Sequence, residues 1–281
     1  MIWRCRDVTF DLTDRVLVMG IVNVTPDSFS DGGRYLDPAL AVARCHELLA
    51  EGADVLDLGG ESTRPGSAEV PAVEQWRRLE PVLTQVARAR PEAVLSVDTR
   101  SAEVAGRALA AGARIVNDVS ALSDPDMAGA VAKPGAGLVL MHMRGTPETM
   151  QSDTGYADVT AEVAAYLGER VDAAVAAGVA RECIALDPGI GFAKSARGSL
   201  ELLVRIPELA ALGRPVLVGA SRKSFLARLT GDEGPPHERV PASLAAAALA
   251  TWQGAHILRV HDVAATVRVV KIAQAARKAV R

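Results

Sequence analysis

The sequence predicts an α/β fold, a single-domain (β/α)8 TIM barrel with a short N-terminal β-hairpin. Short apolar runs of β-type composition alternate eight times with longer amphipathic segments rich in Ala, Leu and Arg. An open doubly wound sheet should carry a glycine-rich turn after its first strand, whereas here NVTPD follows at 23–27. Eight parallel strands joined by right-handed crossovers close naturally into a barrel at this chain length.

The individual elements follow from the same alternation. The helical pattern is clearest at 39–50, 73–90, 102–111 and 159–177, and glycines at 52, 112 and 254 mark returns from helix to strand. Residues 1–15, with Val8, Phe10 and Leu12 in alternation, predict a hairpin at the bottom of a barrel formed by 16–281. The eight strands are predicted at 16–22, 55–58, 94–97, 115–116, 138–141, 184–186, 216–218 and 257–260.

Composition excludes several classes of protein. Of 281 residues 49% are hydrophobic, which is enough for a large core, and the net charge of -3 is spread without a basic stripe for nucleic acid. Cys5, Cys45 and Cys183 form neither a disulfide framework nor a metal knuckle. The N-terminus has no apolar signal core, and the Ala-rich run at 244–250 is too short to span a bilayer. We therefore expect a soluble cytoplasmic protein with neither nucleic acid nor membrane as partner.

Polar side chains lie at or just beyond the end of each predicted strand. Any one Asp or Asn could simply cap the following helix. Eight polar ends around one rim instead predict a binding site, because the carboxyl ends of barrel strands share one face. These groups are Asn23, Asp57, Asp98, Asn117 with Asp118, His142, Asp187, Ser221 with Arg222 and Lys223, and Arg259 with His261.

The types of polar group indicate the chemistry of the ligand. Two carboxylates, Asp98 and Asp187, accept N–H donors, and the Asn117 amide offers one donor and one acceptor. This set suits a flat heterocycle with an amino-oxo edge, such as a guanine-like or pterin ring. Lys223 can donate to a ring oxygen or nitrogen of the same ligand.

A second, basic subsite is predicted at the ends of strands 7 and 8. Arg259 and His261 are two residues apart and face the same side of an extended segment. They join Ser221 where barrels often bind phosphate. Asn23 offers one oxygen, and Mg2+ typically completes its shell with water and substrate phosphates, so a diphosphate with Mg2+ is expected. The histidine spacing does not favour an all-protein zinc site.

These same stretches resemble the dihydropteroate synthase family of pterin-binding barrels over nearly the whole chain, from residue 19 to about 269. The ordered set of motifs is specific, although each alone is weak. The motifs are MGIVNVTPDSFSDGG (19–33), DLGGESTRPG (57–66), SVDT (96–99), NDVS (117–120), MHMRGTP (141–147), DPGIGF (187–192), GASRKS (219–224) and RVHDV (259–263).

The resemblance implies a role for each matching residue. Catalytic residues would be Asp98, Asp187, Lys223, Arg259 and His261. The pterin would lie among Asp98, Asn117, Asp187, Lys223, Met141 and Phe192. The diphosphate would contact Asn23, Thr63, Arg64, Arg259 and His261, with Asn23 reaching Mg2+. The p-aminobenzoate pocket would include Phe29, Thr63, Pro65, Phe192, Lys223 and Ser221.

The resemblance also implies a reaction and an assembly. In this family a dihydropterin diphosphate condenses with p-aminobenzoate through an SN1-like, Mg2+-assisted step, and sulfonamides target the enzyme. The helices near the C-terminus resemble the family's homodimer surface. One departure is the segment 193–199, which lacks an expected His-Asn pair and leaves the start of the following helix uncertain.

Two other functions fit the barrel less well. A non-catalytic pterin-binding paralogue is disfavoured because the catalytic set is complete: Asn23, Thr63, Arg64, Lys223, Arg259 and His261 are all present. A pterin-dependent methyltransferase would keep the Asp98, Asn117 and Asp187 set, but it has no need for Thr63 and Arg64 or for a diphosphate subsite.

Overall fold

The computed structural model describes residues 1–25, 37–62, 66–231 and 234–280. The strands are β1 (Ile2–Cys5), β2 (Val8–Asp11), β3 (Leu17–Asn23), β4 (Val55–Gly59), β5 (Val94–Asp98), β6 (Ile115–Asp118), β7 (Gly137–Met141), β8 (Ile184–Asp187), β9 (Leu217–Val218) and β10 (Ile257–Val260). The helices are α1 (Pro38–Glu51), α2 (Ala72–Ala89), α3 (Ala102–Ala110), α4 (Met127–Ala132), α5 (Val159–Ala176), α6 (Ala196–Val204), α7 (Ile206–Ala210), α8 (Ser224–Thr230), α9 (Val240–Gln253) and α10 (Val263–Ala279).

Eight parallel strands form the barrel, as the sequence predicts. Their order is β8-β7-β6-β5-β4-β3-β10-β9, and every pairing between neighbours is parallel. A parallel bridge from Leu186 to Val216 joins the first and last strands and closes the ring. All eight predicted strands are confirmed, and the barrel rather than the open sheet is the fold.

The segments between strands are helical, and two of them are divided. α6 and α7 meet at Arg205, where Pro207 in the first turn of α7 cannot continue the hydrogen bonding of the preceding helix. The uncertain start of α6 is well capped, because Ser195 Oγ accepts the Gly198 N–H at 3.0 Å. No described helix combines the length and apolar character needed to span a membrane.

The N-terminal hairpin covers the bottom of the barrel. β1 and β2 pair antiparallel, with Trp3 opposite Phe10, and both side chains are buried. Trp3 Nε1 donates to the Cys183 carbonyl at 2.9 Å. The hairpin packs on the lowest inward-facing layer of the barrel: Leu17, Met19, Val55, Val94, Ile115, Val139, Ala185, Leu217 and Ile257. The hairpin is confirmed. The boundary that separates a hairpin of residues 1–15 from a barrel of residues 16–281 stays a proposal.

The two-residue period of the strands places the polar groups above this apolar layer. Side chains two apart on a strand share a face, so each inward-facing apolar residue is followed by a second inward-facing residue nearer the top. On β4 Val55 is followed by Asp57, and on β8 Ala185 is followed by Asp187. The apolar floor and the polar chamber above it therefore come from the same strands.

Candidate active site

One pocket at the carboxyl ends of the strands brings most of the predicted residues together. It is lined by Ile21, Asp98, Asn117, Val119, Met141, Asp187, Phe192, Gly219, Ser221, Lys223, Arg259 and His261. The strands set these side chains by their register, since Asp98 on β5 pairs with Asn117 on β6 and Met141 on β7 pairs with Asp187 on β8. Every residue predicted to hold the pterin lies in this pocket.

Arg259 is the central cation of the chamber. Its Nε donates to Asp57 Oδ2 at 2.6 Å and its Nη2 donates to Asp98 Oδ2 at 2.7 Å. Burial by itself lowers the pKa of Arg259, but the two carboxylates more than compensate and raise it. Arg259 therefore stays charged and links strands β4, β5 and β10 across the barrel.

Asp57 has no role in the sequence prediction beyond its place at a strand end. Its side chain is 0% exposed, and its Oδ2 accepts both Arg259 Nε and Asn117 Nδ2, the latter at 3.0 Å. Through a single oxygen, Asp57 thus holds both Arg259, which is predicted to bind the diphosphate, and Asn117, which is predicted to bind the pterin. Its position two residues after Val55 is the sequence signal for an inward-facing carboxylate.

The buried carboxylates of the pocket are shifted toward their neutral forms. Burial raises the pKa of Asp98, with further contributions from the negative charges of Asp57 and Glu61, while Arg259 opposes the shift. Burial also raises the pKa of Asp187, against the charge of Lys223 and the N–H of Gly189, which donates to Asp187 Oδ1 at 2.7 Å. Such perturbed groups converging in a cleft are typical of a functional site.

Lys223 faces these carboxylates from the loop after β9. Its ammonium lies 3.9 Å from the centre of the Phe192 ring and donates to the Ile190 carbonyl. Burial lowers the pKa of Lys223 to about 7, although the charge of Asp187 opposes this. Lys223 and Phe192 therefore form one wall of the pocket, where a flat aromatic ligand can stack or accept a hydrogen bond.

The basic rim between β9 and β10 is rigidly supported. Ser221 Oγ and His261 Nδ1 are 3.0 Å apart, and Ser221 Oγ also accepts the His261 N–H. Arg222 has a positive φ of 60° and is held by Asp262 at 2.6 Å and by Ser243 Oγ on its N–H at 2.8 Å. This support fixes Ser221, Lys223 and His261 around the pocket entrance.

An ion pair between buried Glu61 and partly buried Arg100 anchors the chain after β4. Arg100 Nη2 donates to Glu61 Oε1 at 2.9 Å, and the same oxygen accepts the Val70 N–H at 3.0 Å. Gln75 donates to the Val70 carbonyl and accepts from Thr99 Oγ1. The sequence reasoning did not identify this network, whose members come from three separate segments.

Some predicted residues fall outside the pocket or outside the described chain. Phe29, Thr63, Arg64 and Pro65 lie outside the described residues. Asn23 ends β3 next to Gly59. In the part of the chain that the structure describes, no group of three or more His, Cys, Asp or Glu side chains could hold a metal.

Fold and pocket together define a pterin-binding barrel enzyme, and comparison with known proteins agrees. A family model described as "Pterin binding enzyme" matches residues 19–261. A dihydropteroate synthase of Escherichia coli is 45% identical over 258 residues, covering 92% of this chain and 90% of that protein. The chain belongs to the dihydropteroate synthase family.

Solved structures of the same family match over the full length. A Xanthomonas albilineans dihydropteroate synthase with 4-aminobenzoic acid has a TM-score of 0.91 at 47% identity, covering 98% of each chain. A structure of the synthase from the same organism in complex with 7,8-dihydropteroate has a TM-score of 0.87 at 44% identity, covering 99% of each chain. The predicted family and the predicted barrel are both confirmed.

Proposed function

We propose that this pocket binds a dihydropterin diphosphate and that the protein joins it to p-aminobenzoate, releasing diphosphate and 7,8-dihydropteroate. The observation that carries the proposal is the convergence of Asp98, Asn117, Asp187 and Lys223 on one buried pocket. The two Xanthomonas structures carry 4-aminobenzoic acid and 7,8-dihydropteroate, one reactant and the product of this reaction. Family membership supports the same transferase chemistry.

The pterin ring is proposed to lie between Met141 and Phe192. Asp98 and Asp187 accept from its N–H groups, Asn117 pairs with its amino-oxo edge, and Lys223 donates to it. Because the two carboxylates are buried, each hydrogen bond to them is stronger than it would be in water.

The reaction requires charge stabilisation rather than a covalent nucleophile. The bond between the pterin methylene carbon and the diphosphate oxygen breaks, and the oxygen keeps the electron pair. The resulting cation is delocalised into the ring beside Asp98 and Asp187, and these two side chains stabilise it in their deprotonated forms. The amine nitrogen of p-aminobenzoate then bonds to the methylene carbon and loses a proton. Cysteine takes no part, because Cys5, Cys45 and Cys183 are buried away from the pocket.

The diphosphate end is proposed to contact Arg259 and His261, with Asn23, Thr63 and Arg64 completing the subsite. Asn23 supplies one amide oxygen, which fits a magnesium ion that completes its shell with water and substrate oxygens. Bound there, Mg2+ would neutralise charge on the leaving group. Arg259 reaches Asp98 as well, so one guanidinium lies between the pterin and diphosphate subsites.

The second substrate is proposed to enter over the pterin. Lys223, Ser221 and Phe192 lie at the pocket, and Phe29, Thr63 and Pro65 are proposed to complete the p-aminobenzoate site. Ser221 is held by its contact with His261, and this contact supports an arylamine site next to the proposed leaving group.

Diphosphate release by the purified protein tests the function. We expect release only when dihydropterin diphosphate, p-aminobenzoate and Mg2+ are all present, and we expect Lys223→Ala or Arg259→Ala to abolish it. Lys133→Ala, at an exposed position after α4, is the matched control and should retain activity. Tight pterin binding without release would favour the non-catalytic paralogue. Methyl transfer from a pterin donor would favour the methyltransferase.

We also propose a homodimer formed through α9 and α10. Leu249, Trp252 and Ile272 are exposed on these helices, Ile272 by 74%, and line one apolar groove with Val269 and Ala273. Such a contiguous apolar face is typical of an interface, and the same helices resemble the family's dimer surface. Sedimentation should show a dimer that Ile272→Glu converts to a monomer; a wild-type monomer would refute this.

A cytoplasmic location is proposed as well. The three cysteines are free and buried, which fits a reducing compartment.

A further inference from the structure

A buried lysine outside the substrate pocket joins two of its walls. Lys194, in the loop after β8, is only 3% exposed. Its Nζ lies 2.9 Å from the Phe192 carbonyl oxygen, 3.0 Å from His142 Nδ1 and 3.4 Å from the His142 carbonyl oxygen. The reaction proposed above assigns no role to Lys194 or to His142.

The two segments that Lys194 links carry pterin-site residues. His142 directly follows Met141 at the end of β7, and the loop after β8 runs from Asp187 to Phe192. The segments already touch, since the His142 N–H donates to the Asp187 carbonyl at 3.0 Å. A Cβ at Gly189 would lie 1.9 Å from the His142 carbonyl oxygen, so the backbones are in close contact there. Lys194 donates into this same junction.

The protonation of the cluster fits a donating lysine. Burial lowers the pKa of His142 to about 3, so its ring is neutral and Nδ1 can accept the Lys194 N–H. Burial lowers the pKa of Lys194 to about 7, while the charge of Asp187 opposes this and those of Lys223 and Arg144 add to it. Asp187 is therefore flanked by two lysines, Lys223 in the pocket and Lys194 behind it.

We propose that Lys194 is a positioning residue for the pterin subsite, tying the end of β7 to the loop after β8 so that Asp187 and Phe192 are held in place for the ring. The inference rests on the proposed function, because it takes a dihydropterin as the ligand. Lys194 acts through its neighbours and contacts no substrate itself.

The test compares two ligands in the Lys194→Met variant. Met removes the donors at similar length, so the Kd for dihydropterin diphosphate should rise about tenfold or more, because buried acceptors lose their charged partner. The KM for p-aminobenzoate should rise by less than the Kd for the pterin, because Phe192 is the one residue of its proposed pocket that lies in the tied loop. Lys133→Met, at an exposed position, is the matched control and should leave both constants unchanged.

Two outcomes would overturn the inference: an unchanged Kd for dihydropterin diphosphate, or an equal rise in both constants, which would indicate general loosening. If the Met variant does not fold, Lys194→Gln is the second variant. Its uncharged amide nitrogen is one atom nearer the backbone and has two N–H groups for the three acceptors, so the Kd should still rise; a wild-type Kd would refute the role. If the wild-type protein binds the pterin without turnover, the proposed function is refuted but the role of Lys194 is not. The Kd values of the wild type and the variant would still test that role.

Discussion

Replacing Asp57 by Asn tests whether this buried carboxylate organises the active site. In the protein one oxygen of Asp57 accepts from Arg259 at 2.6 Å and from Asn117 at 3.0 Å. The other oxygen, Oδ1, is buried without a hydrogen-bond partner. Asn can keep an oxygen toward both donors and place its amide where Oδ1 lies, so the variant removes mainly the charge.

The expected magnitude follows from the change in hydrogen-bond type. A hydrogen bond to a charged group contributes roughly 1.5–3 kcal/mol and one between neutral groups roughly 0.5–1.5 kcal/mol. Weakening two bonds at a fully buried site should therefore cost about 1–3 kcal/mol, or about fivefold to 150-fold in kcat/KM for the pterin substrate. The free energy of unfolding should change less, because removing the carboxylate also removes the cost of burying it.

The pH dependence of kcat/KM gives a second expectation, which has a definite direction. The negative charge of Asp57 is one of the causes that raise the pKa of Asp98. In Asp57→Asn that pKa should fall, so the acidic limb of kcat/KM against pH, measured from about pH 5 to about pH 9, should move to lower pH.

Diphosphate release at saturating p-aminobenzoate provides the assay for both expectations. Asp54→Asn is the matched control, because Asp54 precedes the same strand at the opposite end of the barrel, where it pairs with Arg15 and the Val18 N–H. An Asp57→Asn enzyme with wild-type kcat/KM and an unmoved acidic limb would refute the organising role.

Three further expectations concern stability. Trp3→Ala should lower the free energy of unfolding by about 3–5 kcal/mol, because removing a large buried side chain leaves a cavity under the barrel. Urea unfolding measures this change, and a loss below about 1 kcal/mol would contradict the packing of the hairpin. Gly189→Ala should yield little folded protein, because Gly189 has a φ of +66° and the new Cβ would overlap the His142 carbonyl oxygen. Circular dichroism measures the folded fraction, and a wild-type melting curve would contradict this close contact. Burial raises the pKa of Asp98 from its unfolded value of about 4 to about 7, so the folded state binds the proton more tightly and stability should fall as pH rises between these two values. Asp98→Asn should remove this part of the slope, and equal slopes in the two proteins would contradict the shift.

The strand pattern was predictable because it is a local property. Each barrel strand is a short apolar run between polar segments, and all eight were placed from composition and alternation alone. Four of the eight strands extend by one residue beyond the predicted end, to Asn23, Gly59, Asp98 and Asp187, because a strand continues until its backbone partners end. Strand propensity alone does not predict that these last residues belong to the strands.

The division of the helical segments was less accessible. The break between α6 and α7 occurs at Arg205 and Pro207, within one continuous amphipathic stretch. The start of α6 depends on the Ser195 side chain reaching the Gly198 N–H. Several polar residues in this segment could cap the helix, and tertiary packing determines which one does.

The sequence by itself determined the barrel, the family, and which residues stand at the strand ends, because period-two alternation and strand-end position are fixed by the order of residues. Only the tertiary structure decided which of these groups are partners. Asp57 and Arg259 are 202 positions apart, and Lys194 and His142 are 52 apart. Such pairs form when folding of the barrel brings segments that are distant in the sequence together, and burial then excludes the water that would otherwise weaken their hydrogen bonds.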